Sequence, residues 1–237
     1  MNRQFVTTRW TLVLQASSLN EAERREALTE LLSQNWYPLY AFLRRSGKAP
    51  QEAEDLIQGF CLHVIEKNVF AGRTEHRRSR FRSFLLKCLK NFMANEWSRQ
   101  QAAKRGGGRP SFSLDFSSAD QRYQREPSHS ATAERAFDRA WAIELIERSL
   151  QQLAAKWAES GKQAEFEILK TCLLGTEQAP RQEVADRLGV STNTLKVTIH
   201  RLKAEFRKEL CLQVADTLDR DDLLEDEISF LFSSLSL

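Results

Sequence analysis

Glycine and proline are scarce in this sequence, nine and five residues among 237, and several of them fall between stretches of helical periodicity. Long helices can therefore run without breakers, and an all-α fold is expected. No stretch approaches the roughly 20 consecutive apolar residues of a membrane span. Met1 to Ala16 has no basic segment followed by an uninterrupted apolar one, so no leader is read there and a cytoplasmic location is expected. The four cysteines, Cys61, Cys88, Cys172 and Cys211, are far apart, form no C-x-x-C pair and sit among apolar helical neighbours. That pattern argues for reduced, buried thiols. Signatures of catalysis are also missing. There is no Gly-rich phosphate loop, no H-E-x-x-H and no nucleophile elbow, and His63, His76, His129 and His200 are scattered. Neither catalysis, a metal site nor a cofactor is expected.

An excess of one charge is lacking too: 35 basic residues face 32 acidic ones, for a formal net charge of +3. The distribution is more informative than the sum. From Arg73 to Arg109 the chain carries eleven Arg or Lys residues, among them Arg77, Arg78, Arg80, Arg82, Lys87, Lys90 and Arg99, against only Glu75 and Glu96. From Val214 onward Asp216, Asp219, Asp221, Asp222, Glu225, Asp226 and Glu227 face Arg220 alone. The middle of the chain is basic and its last stretch acidic.

Apolar spacing predicts a short helix near Trp10 to Leu14, another over Ala22 to Leu32, and a third from Trp36 to Leu43 that Ser46 and Gly47 stop. Pro50 suits the first turn of the next, and Glu52, Glu54 and Asp55 favour a helix N-terminus. A basic loop over Asn68 to Ser79 leads to a long helix from about Phe81 to Arg99, with Phe81, Phe84, Leu85, Cys88, Leu89 and Phe92 as its stripe. The run Arg105-Gly-Gly-Gly-Arg109-Pro110 and the Ser-rich stretch after it predict a flexible linker. The expected partition is a first helical domain over 1–100, a linker over 101–132, a second domain over 133–212 and an acidic amphipathic tail over 213–237.

In the second domain, Trp141, Leu145, Leu150, Leu153 and Trp157 mark a long helix, and Phe166 to Leu174 a shorter one ending at Gly175. The most specific motif follows, from Gln182 to Leu202. Ala185 is small where two helices approach, Gly189 tolerates the positive φ of a turn, and Ser191 can cap the helix from Thr192 to about Leu210. Val184, Leu188, Val190, Leu195, Ile199 and Leu202 lock the pair. The other face carries Thr192, Asn193, Lys196, Val197, His200, Arg201 and Lys203, residues suited to base edges and phosphates of a major groove. The pattern predicts a helix-turn-helix.

The stretch Ala53-Glu-Asp55-Leu-Ile-Gln58-Gly-Phe60 is similar to the second conserved region of bacterial sigma factors. Phe81-Arg-Ser-Phe84-Leu85 through Asn91, Asn95 and Arg99 resembles the promoter-melting region that follows, and Thr194-Leu-Lys196 with His200-Arg201 resembles the last region. With no middle domain between the two modules, the chain resembles the extracytoplasmic-function (ECF) branch. The resemblance covers roughly residues 25 to 100 and 140 to 212.

It implies a transcription initiation factor whose partners are core RNA polymerase, through the β′ clamp helices and the β flap, promoter DNA, and an inhibitory partner such as an anti-sigma factor. Asp55, Gln58 and Phe60 would face polymerase. Arg82, Lys87, Lys90, Asn91, Asn95 and Arg99 would face the −10 element, and the helix-turn-helix set the −35 element. The residues alone leave other readings open. Asp55 also suits a helix N-terminus, Gln58 a solvated position, and Lys87 and Lys90 an ordinary solvated face. Phe81, Phe84 and Phe92 read as core, and Trp97 as the aromatic for stacking or docking. The tail either folds back on a basic DNA-facing surface or packs on the second module. A polymerase-independent dimeric helix-turn-helix regulator, reading a palindrome, is the competing function.

Overall fold

The computed structural model describes residues 20–67, 69, 80–102, 114–125, 132–174, 180–218 and 223–235, with side chains at all of these except 97–102 and 174. Every regular element among them is helical, in the order α1 (Glu21–Ser33), α2 (Trp36–Arg45), α3 (Pro50–Lys67), α4 (Phe81–Ala102), α5 (Ala119–Gln124), α6 (Ala133–Glu159), α7 (Gln163–Leu174), α8 (Arg181–Arg187), α9 (Thr192–Ala215) and α10 (Leu224–Leu235). The all-α expectation holds. The helix expected near Trp10 lies outside the described residues, as do the Asn68–Ser79 loop apart from Val69 and the Arg105–Pro110 run.

The described residues form two compact units, one of 1–144 together with 215–237, the other of 145–214. In the first, α1 opens with a capping box. The Asn20 side chain accepts from the Glu23 amide at 2.9 Å, and the Glu23 carboxylate accepts from the Asn20 amide at 3.3 Å, so two otherwise orphaned donors are satisfied. α2 is buried at every position from Tyr37 to Leu43; a helix apolar all round must be enclosed on all sides. α3 packs against α1, α2 and α4 and contributes Ala53, Ile57, Phe60, Cys61 and Val64, none of them exposed. α4 turns Phe81, Phe84, Leu85, Cys88, Leu89 and Phe92 inward.

The expected partition shifts in three places. The boundary after the first domain falls inside α6, between Glu144 and Leu145. The first turns of that helix bury Phe137, Ala140 and Trp141, and the Trp141 ring lies 5.8 Å from that of Phe81. The expected linker contains an ordered strap over 114–125. Phe116 meets Trp36 with ring centroids 4.7 Å apart, Arg122 stacks 3.7 Å over the Tyr37 ring, and Arg44 pairs with Asp120. Aromatic and cation–π contacts hold it where a Gly- and Ser-rich composition suggested a free chain. The tail, finally, belongs to the first unit and not to the second: the Phe81 amide at the start of α4 donates to the Thr217 carbonyl at 3.1 Å.

In the second unit, the end of α6 packs with α7, α8 and α9 around Leu153, Phe166, Leu169, Val184, Ala185, Leu195 and Leu202. Trp157, Ile168, Leu188, Val190, Ile199 and Phe206 close the edges of this core.

Candidate nucleic-acid interface

In the second unit, local chemistry fixes the angle at which α9 is presented. Val184 and Ala185 of α8 are fully buried, so the two helices approach across a small side chain. α8 ends in a Schellman motif: the Gly189 amide donates to the Asp186 carbonyl at 3.1 Å and the Val190 amide to the Ala185 carbonyl at 3.0 Å. Gly189 sits at φ +65° with no atom within 4 Å of where a Cβ would lie, so the glycine answers a backbone need and not a steric one. Ser191 then caps α9, its Oγ accepting from the Thr194 amide at 3.1 Å. α9 runs five residues beyond the expected end, to Ala215.

Leu195 and Leu202 lock α9 to the core, with Ile199 half-buried beside them. The opposite side presents Asn193, Lys196, Val197, His200, Arg201 and Lys203 to solvent, while Thr192 is half-buried. Val197 is 46% exposed, an apolar side chain with no packing role, suited to a thymine methyl. Lys196, Arg201 and Lys203 form no ion pair with a described residue, so their charge is available to an external anion.

In the first unit, α4 divides cleanly. Its outer face carries Ser83, Lys87, Lys90, Asn91, Ala94 and Asn95, all exposed, at intervals of three, four and seven residues. Lys90 donates to Glu134 at 2.6 Å and lies 5.3 Å from the Phe42 ring centroid. That hydrogen bond holds the Glu134 carboxyl below its ordinary range. Lys87, Asn91 and Asn95 thus form a polar stripe along one helix, a surface able to follow a nucleic-acid strand. The Arg99 and Trp97 side chains lie outside the described residues.

Two expected site residues face inward instead. Phe60 is fully buried, with its ring 5.8 Å from that of Phe92, so it is core and not a polymerase-facing side chain. The spacing Ala53, Ile57, Phe60, Val64 already carried that signal. Asp55 is exposed and Gln58 half-buried on the same helix. Arg82 is 6% exposed and is consumed internally. Its Nε donates to Glu227 at 2.6 Å and its Nη1 to Asp138 at 2.7 Å, and its guanidinium lies 3.9 Å over the Phe230 ring. In this structure it is an interior ion-pair residue, because α10 and α6 close over it.

Arg80 joins the same cluster, 2.6 Å from Glu227. Burial pushes the Asp138 carboxyl above its usual range, the nearby Arg82 opposing that effect. In the sequence Glu227 shows as a member of the acidic run, and Asp138 has no local pattern that marks it. A signal existed for Glu227, an acid standing within the apolar stripe of α10 next to the buried Ile228 and Leu231.

Among the described residues, no group of His, Cys, Asp and Glu side chains is arranged to hold a metal ion, and no helix is long and apolar enough to cross a membrane. Residues 31–103 match the family model described as sigma-70 region 2, which spans α2, α3, α4 and the last turn of α1. No curated protein and no solved structure matches the chain.

Proposed function

We propose, from the match of residues 31–103 to sigma-70 region 2, that the chain is a sigma-70 family factor acting in promoter recognition and transcription initiation with core RNA polymerase, by a two-point mechanism of the ECF type. The first unit docks on polymerase through the outer side of α3, with Asp55 and Gln58 as contacts, and opens the −10 element along the Lys87, Asn91 and Asn95 stripe of α4. The second unit reads the −35 element through α9. The chain itself performs no catalysis; phosphodiester chemistry belongs to the polymerase.

The observation that carries this reading is the polar, outward stripe of α4 inside the matched region. A basic and amide-bearing helix face neutralises phosphates and holds an unpaired strand, and region 2 is the part of the family that meets the opened promoter. Support for the second point comes from the capped, glycine-turned mounting of α9 and its exposed Lys196, Val197, His200 and Arg201. Engaging two elements at once multiplies two modest affinities, since the second contact becomes intramolecular.

Run-off transcription with core RNA polymerase on a library of promoter-sized fragments tests it. Initiation at a defined subset only when the protein is added is the expected result, and K196A together with R201A should abolish selection at the upstream element while leaving the thermal midpoint unchanged. Absence of initiation, with tight polymerase-independent binding to a palindrome, would make the chain a dimeric regulator instead.

A further inference from the structure

The cluster at the start of α4 has the geometry of an anion site that is already filled. Glu227 is fully buried. Its Oε1 accepts from Arg82 Nε at 2.6 Å, and its Oε2 lies 2.6 Å from Arg80 Nε and 3.5 Å from Arg82 Nη2. Two guanidiniums converging on one multi-oxygen anion is an arrangement that suits carboxylate and phosphate alike. Arg80 also stands seven positions before Lys87, so an anion held there continues the line of the Lys87, Asn91 and Asn95 stripe along α4.

We propose that α10 is a cis cover on a DNA phosphate site: in the free protein Glu227 occupies the place that a backbone phosphate of the opened promoter strand takes between Arg80 and Arg82. This rests on the promoter-opening role assigned to α4 above. Charge bookkeeping around the site supports a cover over a purely structural tie. With α10 in place, Arg80 and Arg82 face Glu227 and Asp138, and the cluster is formally neutral. With α10 displaced, two guanidiniums face Asp138 alone, leaving one net positive charge at a helix N-terminus that already favours anions.

The cover also carries Glu225 and Asp226 exposed in its first turn, which repel an approaching phosphate while α10 is seated. Stability alone gives little reason for such a cluster, because replacing a buried ion pair with apolar residues is often neutral or stabilising. Exchange of one anion for another gives a direct reason for it. α10 is anchored by groups that do not depend on Glu227 as well: Arg139 Nη1 donates to the Leu235 carbonyl at 3.1 Å, and Arg82 stacks on Phe230.

Anisotropy titrations of a mixed-sequence single-stranded oligodeoxynucleotide, over a series of salt concentrations, test the cover. The titrants are the full chain, a chain ending at Leu218, which keeps the Thr217 carbonyl that accepts from Phe81, and Glu227→Gln. The shortened chain should bind roughly tenfold tighter. Its plot of log affinity against log salt should be steeper by about 0.7, the value for one more phosphate on a single strand. Glu227→Gln should fall between the two. Equal affinities and slopes for all three, or no binding by a shortened chain that circular dichroism shows to be folded, overturn the cover.

If circular dichroism shows the shortened chain unfolded, hydrogen exchange of the full chain decides. The amides of α10 should lose protection when the oligonucleotide is added in excess, and unchanged protection overturns the proposal. Run-off transcription separates the two ideas. Initiation by the full chain with α10 unaffected by DNA removes the cover and leaves the sigma reading standing, whereas initiation by neither chain sinks the sigma reading and the cover with it.

Discussion

The Arg122 guanidinium lies 3.7 Å over the ring of Tyr37, and the same side chain reaches Glu144 of α6. One arginine of the strap thus ties α2, at the centre of the first unit, to the helix that leaves it. Arg122→Ala should lower the unfolding free energy of this unit by about 1 kcal/mol, the scale of one partly desolvated cation–π contact. It should also open the strap to limited proteolysis between 114 and 125. Unchanged protease resistance would mean that Phe116 and Asp120 hold the strap without it.

A side chain at Gly189 is expected to be penalised for backbone reasons alone. Its φ of +65° lies in the left-handed region, and a Cβ there meets nothing within 4 Å. Gly189→Ala should therefore cost roughly 1 to 2 kcal/mol, and Gly189→Asn distinctly less, since asparagine visits that region more readily. Urea unfolding of the two variants measures the difference. Equal losses would point to a packing cause that the geometry does not contain.

Phe60 and Asp55 separate core from surface on one helix. Phe60→Ala should cost roughly 3 to 5 kcal/mol by emptying a closed site and weaken polymerase binding only through that loss. Asp55→Ala, at an exposed position, should leave stability within about 0.5 kcal/mol while reducing affinity for core polymerase. Thermal melts paired with a polymerase pull-down distinguish them.

Cys61 is fully buried, and burial pushes its thiol up to about 12 from an ordinary 9.0. A raised folded value means that the neutral thiol is the favoured form inside. The contribution is fully present below pH 9 and is lost as the pH rises from 9.0 toward about 12, where the unfolded chain ionises and the folded one resists. In a native thiol-labelling time course the half-buried Cys172 and Cys211 should react before Cys61 and Cys88, which are buried. Early modification of Cys61 at pH 8 would show that α3 opens locally.

What the sequence disclosed depended on how far apart the cooperating residues lie. The Gly189 turn, the Ser191 cap and the inward stripe of α4 rest on neighbours within one or two turns, and spacing alone revealed them. The strap did not announce itself: Phe116, Asp120 and Arg122 are spread through a polar stretch flanked by Gly and Ser, and their partners Trp36, Arg44 and Tyr37 lie far upstream. Arg82 and Glu227 stand 145 positions apart. In the sequence they show only as members of a basic run and an acidic one. Phe60 falls in the motif that resembles a polymerase-facing helix, yet its spacing with Ala53, Ile57 and Val64 puts it in the buried stripe of α3.

The first unit is assembled from two separated stretches of chain, 1–144 and 215–237, with the second unit set between them. Emergence from the ribosome therefore runs against the order of use. Residues 145–214 have all their own core partners before the last stretch appears, whereas Arg82 waits for Glu227 until nearly the whole chain has been synthesised. The unit proposed to open DNA is the one that matures last, and in a nascent chain stalled before α10 Arg80 and Arg82 have yet to meet Glu227.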